Sequence, residues 1–571
     1  MHVSARVMPS PTDANNDQWT ALRKEWWAVA LVLLAGLIAH GWALGRGFVW
    51  DDAMLRADLA LRGHWRLFEP DIFGFVRPVK VLVFSLLDSF FGHRAALWEA
   101  VALLVHLGVG AFAYRFSRLF LPPGWAAAAA ALFVVHPLHV EATFWMAAFN
   151  GTIMLVPALL YLLLHAKNDP ATPRTIALSL GLGTAAVLSR EDAAVLPILA
   201  TILMVALGRI PSRNQLFLFA LQLAISATLL VLSRMAATQA SQALDPLPHP
   251  QWVLASCSPG TVLMHCAIFF SPWHWWFYTR PLDSAGLLVG LTILACLLGA
   301  LAGGRILMVR KVEPLLALVA MAVVAIAPMA NVIGSGNSLV GVRYLSLAGV
   351  FLAIVTMTIV GRIGERSRPL GVASAAIAFL LCAGSSFAYH RHWRSDQTFF
   401  QRMTEALPDE PLMHQRLVAA HLEARDVASA EAASREAMGR HPEATSSWLM
   451  QGVVLQRQGR YQEAGVALSR AVELDPGNLN AHLQLGNVLE MQFQQTQESA
   501  LLEAAAKHYR EATRLGDYQA ETAYINLGTL YATTGRIAAA VEVWEEGLRR
   551  FPGSRDLRTN LGIARKQLSA R

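Results

Sequence analysis

The sequence predicts an all-α protein in two parts, a polytopic bundle of membrane-spanning helices followed by a soluble helical solenoid. Three observations predict it. Of the 571 residues, 55% are hydrophobic and only 15% charged, with a mean hydropathy of +0.40, which is too apolar for an ordinary soluble chain. Long apolar runs with sparse charge fill residues 1–390, and ordinary helix-forming composition fills 395–571. The second part also repeats itself with a 34-residue period, the mark of a solenoid.

Residues 1–25 form a polar tail. The apolar run Trp27–Leu44 that follows is long and has no small-residue cleavage site, so it is expected to be a retained anchor rather than a cleaved signal. A hydrocarbon core about 30 Å thick needs roughly 20 apolar residues per helix. Runs at 26–44, 97–118, 124–138, 150–166, 174–189, 193–208, 215–233, 284–302, 314–330, 344–361 and 370–388 give a transmembrane domain over 26–390 with about 11 spans. Val79–Phe91 is short and interrupted by Asp88, so it is expected to re-enter or lie at the interface. Every alternate short loop is basic: Arg23 and Lys24, Arg115 and Arg118, Lys167 and Arg174, Arg209 and Arg213, Arg305, Arg310 and Lys311, Arg362, Arg366 and Arg368. Basic loops stay in the cytoplasm. The N-terminus is therefore expected inside and, with an odd number of spans, the solenoid outside, at a bacterial inner membrane facing the periplasm. The formal charge of +7 reads as loop charge, and no nucleic-acid partner is expected. The four cysteines lack zinc spacing; Cys257 and Cys266 share one loop and would pair only in an oxidising space.

This orientation collects a particular set of polar residues at the outer face. Asp51 and Asp52 stand at the start of the first outer loop, 45–96, in Phe48-Val49-Trp50-Asp51-Asp52. Carboxylates beside a bilayer carry a desolvation cost, which makes them functional candidates. One of them would take the proton of an acceptor hydroxyl; the competing reading makes them interfacial acids paired with Arg46 and Arg56. His136-Pro137-Leu138-His139-Val140-Glu141 ends the third span, where proline breaks the helix and clusters His136, His139 and Glu141. Two histidines three apart with a nearby acid are usable metal ligands but not a specific signature. Substrate contacts, or hydrogen bonds that hold the first outer loop, are expected instead, and no metal or other cofactor is assigned. Arg77, Arg190 with Glu191, and Arg343 with Tyr344 also face out. A guanidinium suits phosphate oxygens; the alternative for each arginine is a salt bridge or an interfacial anchor. His106, within the second span, reads as a packing residue, and Trp273-His274-Trp275-Trp276 as part of an interfacial aromatic belt. Acids and arginines from separate stretches at one face are what an anionic lipid-linked donor requires.

In the second part, Trp448, Leu449, Gly452, Gly459, Tyr461, Ala464, Ala471 and Pro476 compose one tetratricopeptide (TPR) unit. Small residues sit where two antiparallel helices cross, and proline ends the second helix. Leu527, Gly528, Tyr531, Gly535, Ala540, Trp544 and Pro552 repeat the pattern, and Gly486 follows Gly452 by one period. A weaker first unit carries Ala430, Ala437 and Pro442, the third has an insertion near Met491–Ala500, and 555–571 is expected to cap the array. Helix 394–406 joins it to the last span. The concave face of such an array binds proteins or peptides; the competing role is a spacer.

Taken in order, these motifs resemble the GT-C superfamily of polytopic glycosyltransferases. Within it the chain is most similar to the transmembrane and tetratricopeptide-repeat-containing O-mannosyltransferase type and its bacterial relatives. Phe48-Val49-Trp50-Asp51-Asp52 matches the family's Phe-Val-x-Asp-Asp, Arg77-Pro78 its Arg-Pro, and His136 through Ala142 its His-Pro-x-His-x-Glu-Ala. Arg190-Glu191 sits where the family has a basic residue and Glu. Arg343-Tyr344-Leu345-Ser346 is similar to Arg-x-Leu-Tyr-x-Pro-Ser, but lacks the proline and is shorter. The resemblance implies inverting transfer of a sugar, mannose in the family, from a polyprenyl-phosphate donor to a hydroxyl, with protein as acceptor, at the non-cytoplasmic face and without a metal. It implies that Asp51 or Asp52 is the catalytic residue. Two rival readings are a non-catalytic envelope scaffold built on the solenoid and a ligase or polymerase of lipid-linked glycans.

Overall fold

The computed structural model describes residues 25–49, 52, 55, 66–69, 76–167, 172–241, 269–270, 314–327, 345–516 and 520–569. Every regular element among them is helical. The chain divides into two compact units, Met1–Ser395 and Asp396–Arg571.

The first unit opens with α1 (Trp26–His40), α2 (Pro78–Phe91), α3 (Ala95–Ser117) and α4 (Pro123–Val135). It continues with α5 (Leu138–Phe144), α6 (Asn150–Ala166), α7 (Pro173–Ser189), α8 (Leu196–Ala206) and α9 (Arg213–Ser241). Helices α10 (Pro314–Ile326), α11 (Ser346–Arg366) and α12 (Arg368–His392) complete it. Helix α4 is the centre, packed on α1, α3, α11 and α12. Its sequence explains why. Ala126–Ala131 is six alanines in a row, and five of them are buried, so four neighbours approach its backbone closely. The partners answer with small residues: a side chain placed at Gly36 of α1 or Gly110 of α3 would collide with Val134. Helices α1 and α3 are antiparallel and tied at both ends. Arg118 and Tyr114 bind Glu25 at one end, and Arg46 pairs with Glu99 at the other.

Six helical segments among the described residues are long and apolar enough to cross a membrane: Trp26–Ala43, Ala95–Ser117, Met146–Ala166, Arg213–Ser233, Ser346–Arg366 and Arg368–His392. The pair α4 and α5, bent by 64°, makes a seventh if it counts as one span. The sequence reading of about 11 exceeds this for identifiable reasons. The runs at 174–189, 193–208 and 314–330 fold as helices of 17, 11 and 13 residues. The second of these loses its first turn to a 3-10 segment at Glu191–Val195. The run 284–302 lies outside the described residues, as do Cys257, Cys266 and Trp273–Trp276.

The second unit begins with α13 (Asp396–Ala406) packed on α14 (Pro411–Glu423). Four helix pairs follow in register: α14 with α15 (Val427–Arg440), α16 (Thr445–Arg457) with α17 (Tyr461–Leu474), α18 (Leu479–Thr496) with α19 (Ser499–Leu515), and α20 (Glu521–Thr533) with α21 (Ile537–Arg550). Helix α22 (Arg555–Ser569) closes the array against α21. Each pair turns through one left-handed residue, at Arg425, Gly459, Gln497 and Gly535. The first interval is 34 residues and the next two are 38, so the insertion is absorbed as added helical length on both sides of Gln497. A second device recurs. The carbonyl of the proline in the loop leading into α14, α16, α18 or α22 accepts a hydrogen bond from the side chain six residues on: His414 to Pro408, Trp448 to Pro442, His482 to Pro476 and Arg558 to Pro552, at 3.1, 2.8, 3.1 and 2.6 Å.

At the α18–α19 crossing a methyl on Gly486 would lie 2.6 Å from Tyr509 Cε1. Overpacking of this kind costs about 1–3 kcal/mol. Gly486→Ala is expected to lower the solenoid's unfolding free energy by that amount, read as a lower midpoint at unchanged slope in a urea titration. Gly553→Ala, which meets no atom within 4 Å, is expected to leave it unchanged.

Candidate functional site

The site is built around the break between α4 and α5. Pro137 has no N–H and cannot continue α4, so the helix stops at Val135 and His136 turns extended. The last carbonyls of α4 are thereby left without intrahelical donors, and other helices supply them. His40 Nε2 of α1 and His106 Nε2 of α3 both donate to the Val134 carbonyl, at 2.9 and 3.0 Å. Ser386 Oγ of α12 donates to the Val135 carbonyl. His136 serves the break itself: its Nδ1 accepts the Leu138 amide at 3.3 Å, and its Nε2 donates to the Phe269 carbonyl at 2.9 Å. His139 is fully buried against Phe133 and His106, with ring centroids 4.2 and 4.9 Å away, and neither of its nitrogens has a hydrogen-bond partner among the described residues. Glu141 is buried in the first turn of α5.

The acidic loop meets this break directly. Asp52 is buried, its Oδ2 accepting the Val49 amide at 3.2 Å and its Oδ1 the Ala147 amide at 2.8 Å. Ala147 stands three residues past α5, so one carboxylate ties the acidic loop to the far side of the kink. The loop reaches there through Gly45 and Gly47, at φ +87° and +105°, a backbone that only glycine adopts without strain. Between them Arg46 is buried. Its Nη1 lies 2.7 Å from His390 Nδ1, its Nε 3.7 Å from Glu99 Oε1, and its guanidinium 5.0 Å from the Phe144 ring. Glu99 Oε2 also accepts the Gly45 and Arg46 amides. Burial lowers the Arg46 pKa to about 10, against the Glu99 and Asp52 carboxylates that hold it up. Asp51, Arg343 and Tyr344 lie outside the described residues.

The remaining sequence candidates engage one another. Arg77 grips Glu191 through both carboxylate oxygens, Nε to Oε2 at 3.0 Å and Nη2 to Oε1 at 2.6 Å. Arg190 pairs with Asp192 at 3.3 Å. Burial raises the Glu191 carboxyl, but the Arg77 guanidinium outweighs it and holds the pKa at about 2. Burial pushes Asp192 up despite Arg190. His40, His390 and Asp192 belong to these networks and were not singled out from sequence, whereas Arg46 was read there as an alternative partner of the acidic pair and Glu99 as a neighbour of the second span. The available signal was an ionisable or imidazole group inside or beside an apolar run. Among the described residues no three of His, Cys, Asp and Glu are grouped as a metal site requires.

The Glu191 pKa is depressed below its ordinary 4.5. The Arg77 pair therefore stabilises fully above that value, and its contribution is lost as pH falls towards 2. Melting temperatures across that window are expected to fall more steeply for the wild type than for Glu191→Gln.

The family profile described as tetratricopeptide repeat matches residues 416–478 and 497–564. Protein O-mannosyl-transferase Tmtc2 of Drosophila melanogaster is 32% identical over 26% of this chain and 18% of its own length. The chain thus matches less than a fifth of that relative. The thermophilic TPR protein TTC0263 of Thermus thermophilus is 20% identical, over 36% of this chain and 97% of its own, with a TM-score of 0.26. YrrB, described as a TPR protein with an unusual peptide-binding site, is 18% identical over 30% and 84%, with a TM-score of 0.24. Yeast Tom70 is 12% identical over 82% and 96%, with a TM-score of 0.28. The chain carries tetratricopeptide repeats in its second unit and shares a weak homology with a protein O-mannosyl-transferase.

Proposed function

We propose that the chain is a multi-pass membrane glycosyltransferase of GT-C-like architecture, moving a sugar from a polyprenyl-phosphate donor to a hydroxyl on a protein acceptor. The observation that carries the reading is the buried Asp52 carboxylate, fixed by two backbone amides at a break between apolar helices. The likeness to a protein O-mannosyl-transferase supports it. A buried acid is expensive beside lipid, and fixing it in one geometry is what proton abstraction needs. In the proposed step Asp51 or Asp52 takes the acceptor O–H proton. The oxygen attacks the sugar C1 from the face opposite the donor phosphate, the C1–O bond breaks, and the polyprenyl phosphate leaves with its electron pair. One base suffices, because the phosphate departs as a stable anion, and no metal is invoked.

Arg190, Arg343 and Tyr344 are proposed to line the donor. The bidentate Arg77–Glu191 pair frames that region in this reading and does not itself grip phosphate. The solenoid is proposed to recruit the acceptor on the non-cytoplasmic side of a bacterial inner membrane, with mannose as the first sugar to try. A second reading, a non-catalytic scaffold, draws on the tetratricopeptide match alone.

The test is sugar release from a panel of labelled polyprenyl-phosphate sugars by the purified protein in liposomes. Loss of a general base typically costs about 10²–10⁴-fold. Either Asp51→Asn or Asp52→Asn is expected to lose about that much; Asp52→Asn also sets an amide nitrogen against one of the two backbone donors, so its melting temperature is expected to fall and its activity is read on the folded fraction. Full activity in both variants would remove the proposed base.

A further inference from the structure

We infer that His390 is a positioning residue for the acidic loop: the chain Arg46–His390–His40–Val134 pins the loop that carries Asp52 to the break in α4. The inference rests on the transferase reading for its functional consequence and on hydrogen-bond geometry for the rest. The contacts are Arg46 Nη1 to His390 Nδ1 at 2.7 Å, His390 Nε2 to His40 Nδ1 at 2.8 Å, and His40 Nε2 to the Val134 carbonyl at 2.9 Å.

The direction of every bond follows from the two ends. A carbonyl only accepts, so His40 Nε2 carries a hydrogen. Its Nδ1, in a neutral ring, is then an acceptor, so His390 Nε2 also carries a hydrogen. That leaves His390 Nδ1 accepting, and a guanidinium supplies only donors. A single assignment therefore satisfies the chain, with both rings neutral. A second proton on either ring would turn an acceptor into a donor and break a bond, and on His390 it would face the Arg46 charge. The chain thus has no free site at which to take up a proton, and its role is to hold, not to shuttle. Rings packed edge-on around it, His40 with His390 at 5.1 Å and Phe144 with His390 at 5.0 Å, keep that geometry.

The same helix end touches the second anchor of the loop. Trp393, three residues beyond His390, packs on Trp145 with ring centroids 5.6 Å apart. Trp145 is two residues from Ala147, whose amide holds Asp52 Oδ1. The end of α12 therefore bears on both attachments of the acidic loop, through Arg46 on one side and the Trp145–Ala147 turn on the other.

The experiment compares His390→Phe, which fills the ring volume without the hydrogen bonds, with His390→Gln. The glutamine Oε1 accepts from Arg46 while its Nε2 donates to His40, so it reproduces both bonds. The full-length protein in nanodiscs is read by amide hydrogen exchange over 44–49 and 145–149 and, separately, by sugar transfer. Breaking two buried hydrogen bonds predicts exchange at least about tenfold faster in His390→Phe. It also predicts a comparable fall in kcat at nearly constant donor KM, with His390→Gln close to wild type in both. His40→Gln, which can likewise accept and donate, is the second variant should His390→Phe not fold, and is expected to keep wild-type protection. Unchanged exchange in His390→Phe, a His390→Gln as defective as the phenylalanine variant, or lost protection in His40→Gln would each overturn the inference. Absence of transfer in the wild type would defeat the transferase reading alone, since the exchange measurement decides the positioning role without it.

Discussion

The constraint on which the first unit depends is the need to satisfy the carbonyls that Pro137 exposes. Inside a membrane bundle no bulk water is at hand, and an unpaired backbone group costs several kcal/mol. A break in a buried helix therefore persists only where other elements deliver donors. Here three do so, through His40, His106 and Ser386, from α1, α3 and α12. Their delivery needs close approach, and the alanine run of α4, with Gly36 and Gly110 opposite Val134, permits it. Polar side chains that look misplaced in apolar helices are thus the price of the kink. The kink in turn sets the Met146–Ala148 turn that receives Asp52.

How much of this was legible in the sequence depends on how far apart the partners lie. The solenoid was legible because its period is local: glycine, alanine and proline recur within one unit, and the crossing at Gly486 and Tyr509 lies inside one helix pair. The break at Pro137 was legible for the same reason, since proline acts on its own four preceding residues. What the break would require was not. His40 reaches His390 across 350 residues and Val134 across 94, and no pattern in either run announces the pairing. His106 reads from sequence as a packing residue, yet in the structure it holds one of the two bonds on Val134.

The charged candidates show the same limit. Arg77 reads from sequence as a phosphate contact or a salt-bridge partner and Glu191 as the neighbour of Arg190, and neither stretch names the other as its partner. Folding joins them across 114 residues into a bidentate pair, and the proximity of Asp192 to Arg190 changes what Arg190 has to offer. Span counting failed at related places. Hydropathy sums over a window, whereas the 3-10 turn at Glu191–Val195 is a backbone event that leaves composition almost unchanged.

The two units solve one problem under different solvents. In the solenoid, prolines in the loops leading into α14, α16, α18 and α22 present carbonyls, and a side chain six residues on caps each of them. In the first unit, the carbonyls before a proline are capped by side chains from distant helices. The energetic consequence differs because of what replaces a lost donor. Beside water, a solvent molecule takes over, and the net loss is about 0.5–1.5 kcal/mol. In the buried bundle nothing takes over, and the unpaired carbonyl costs about 1–3 kcal/mol in addition to lost packing. Val134 keeps one donor if either histidine is lost, whereas Ser386, the donor on Val135, is expected to tolerate replacement only by residues that still donate. The solenoid caps are freer, and the array itself reflects this by filling one repeat position with histidine, tryptophan and arginine in turn.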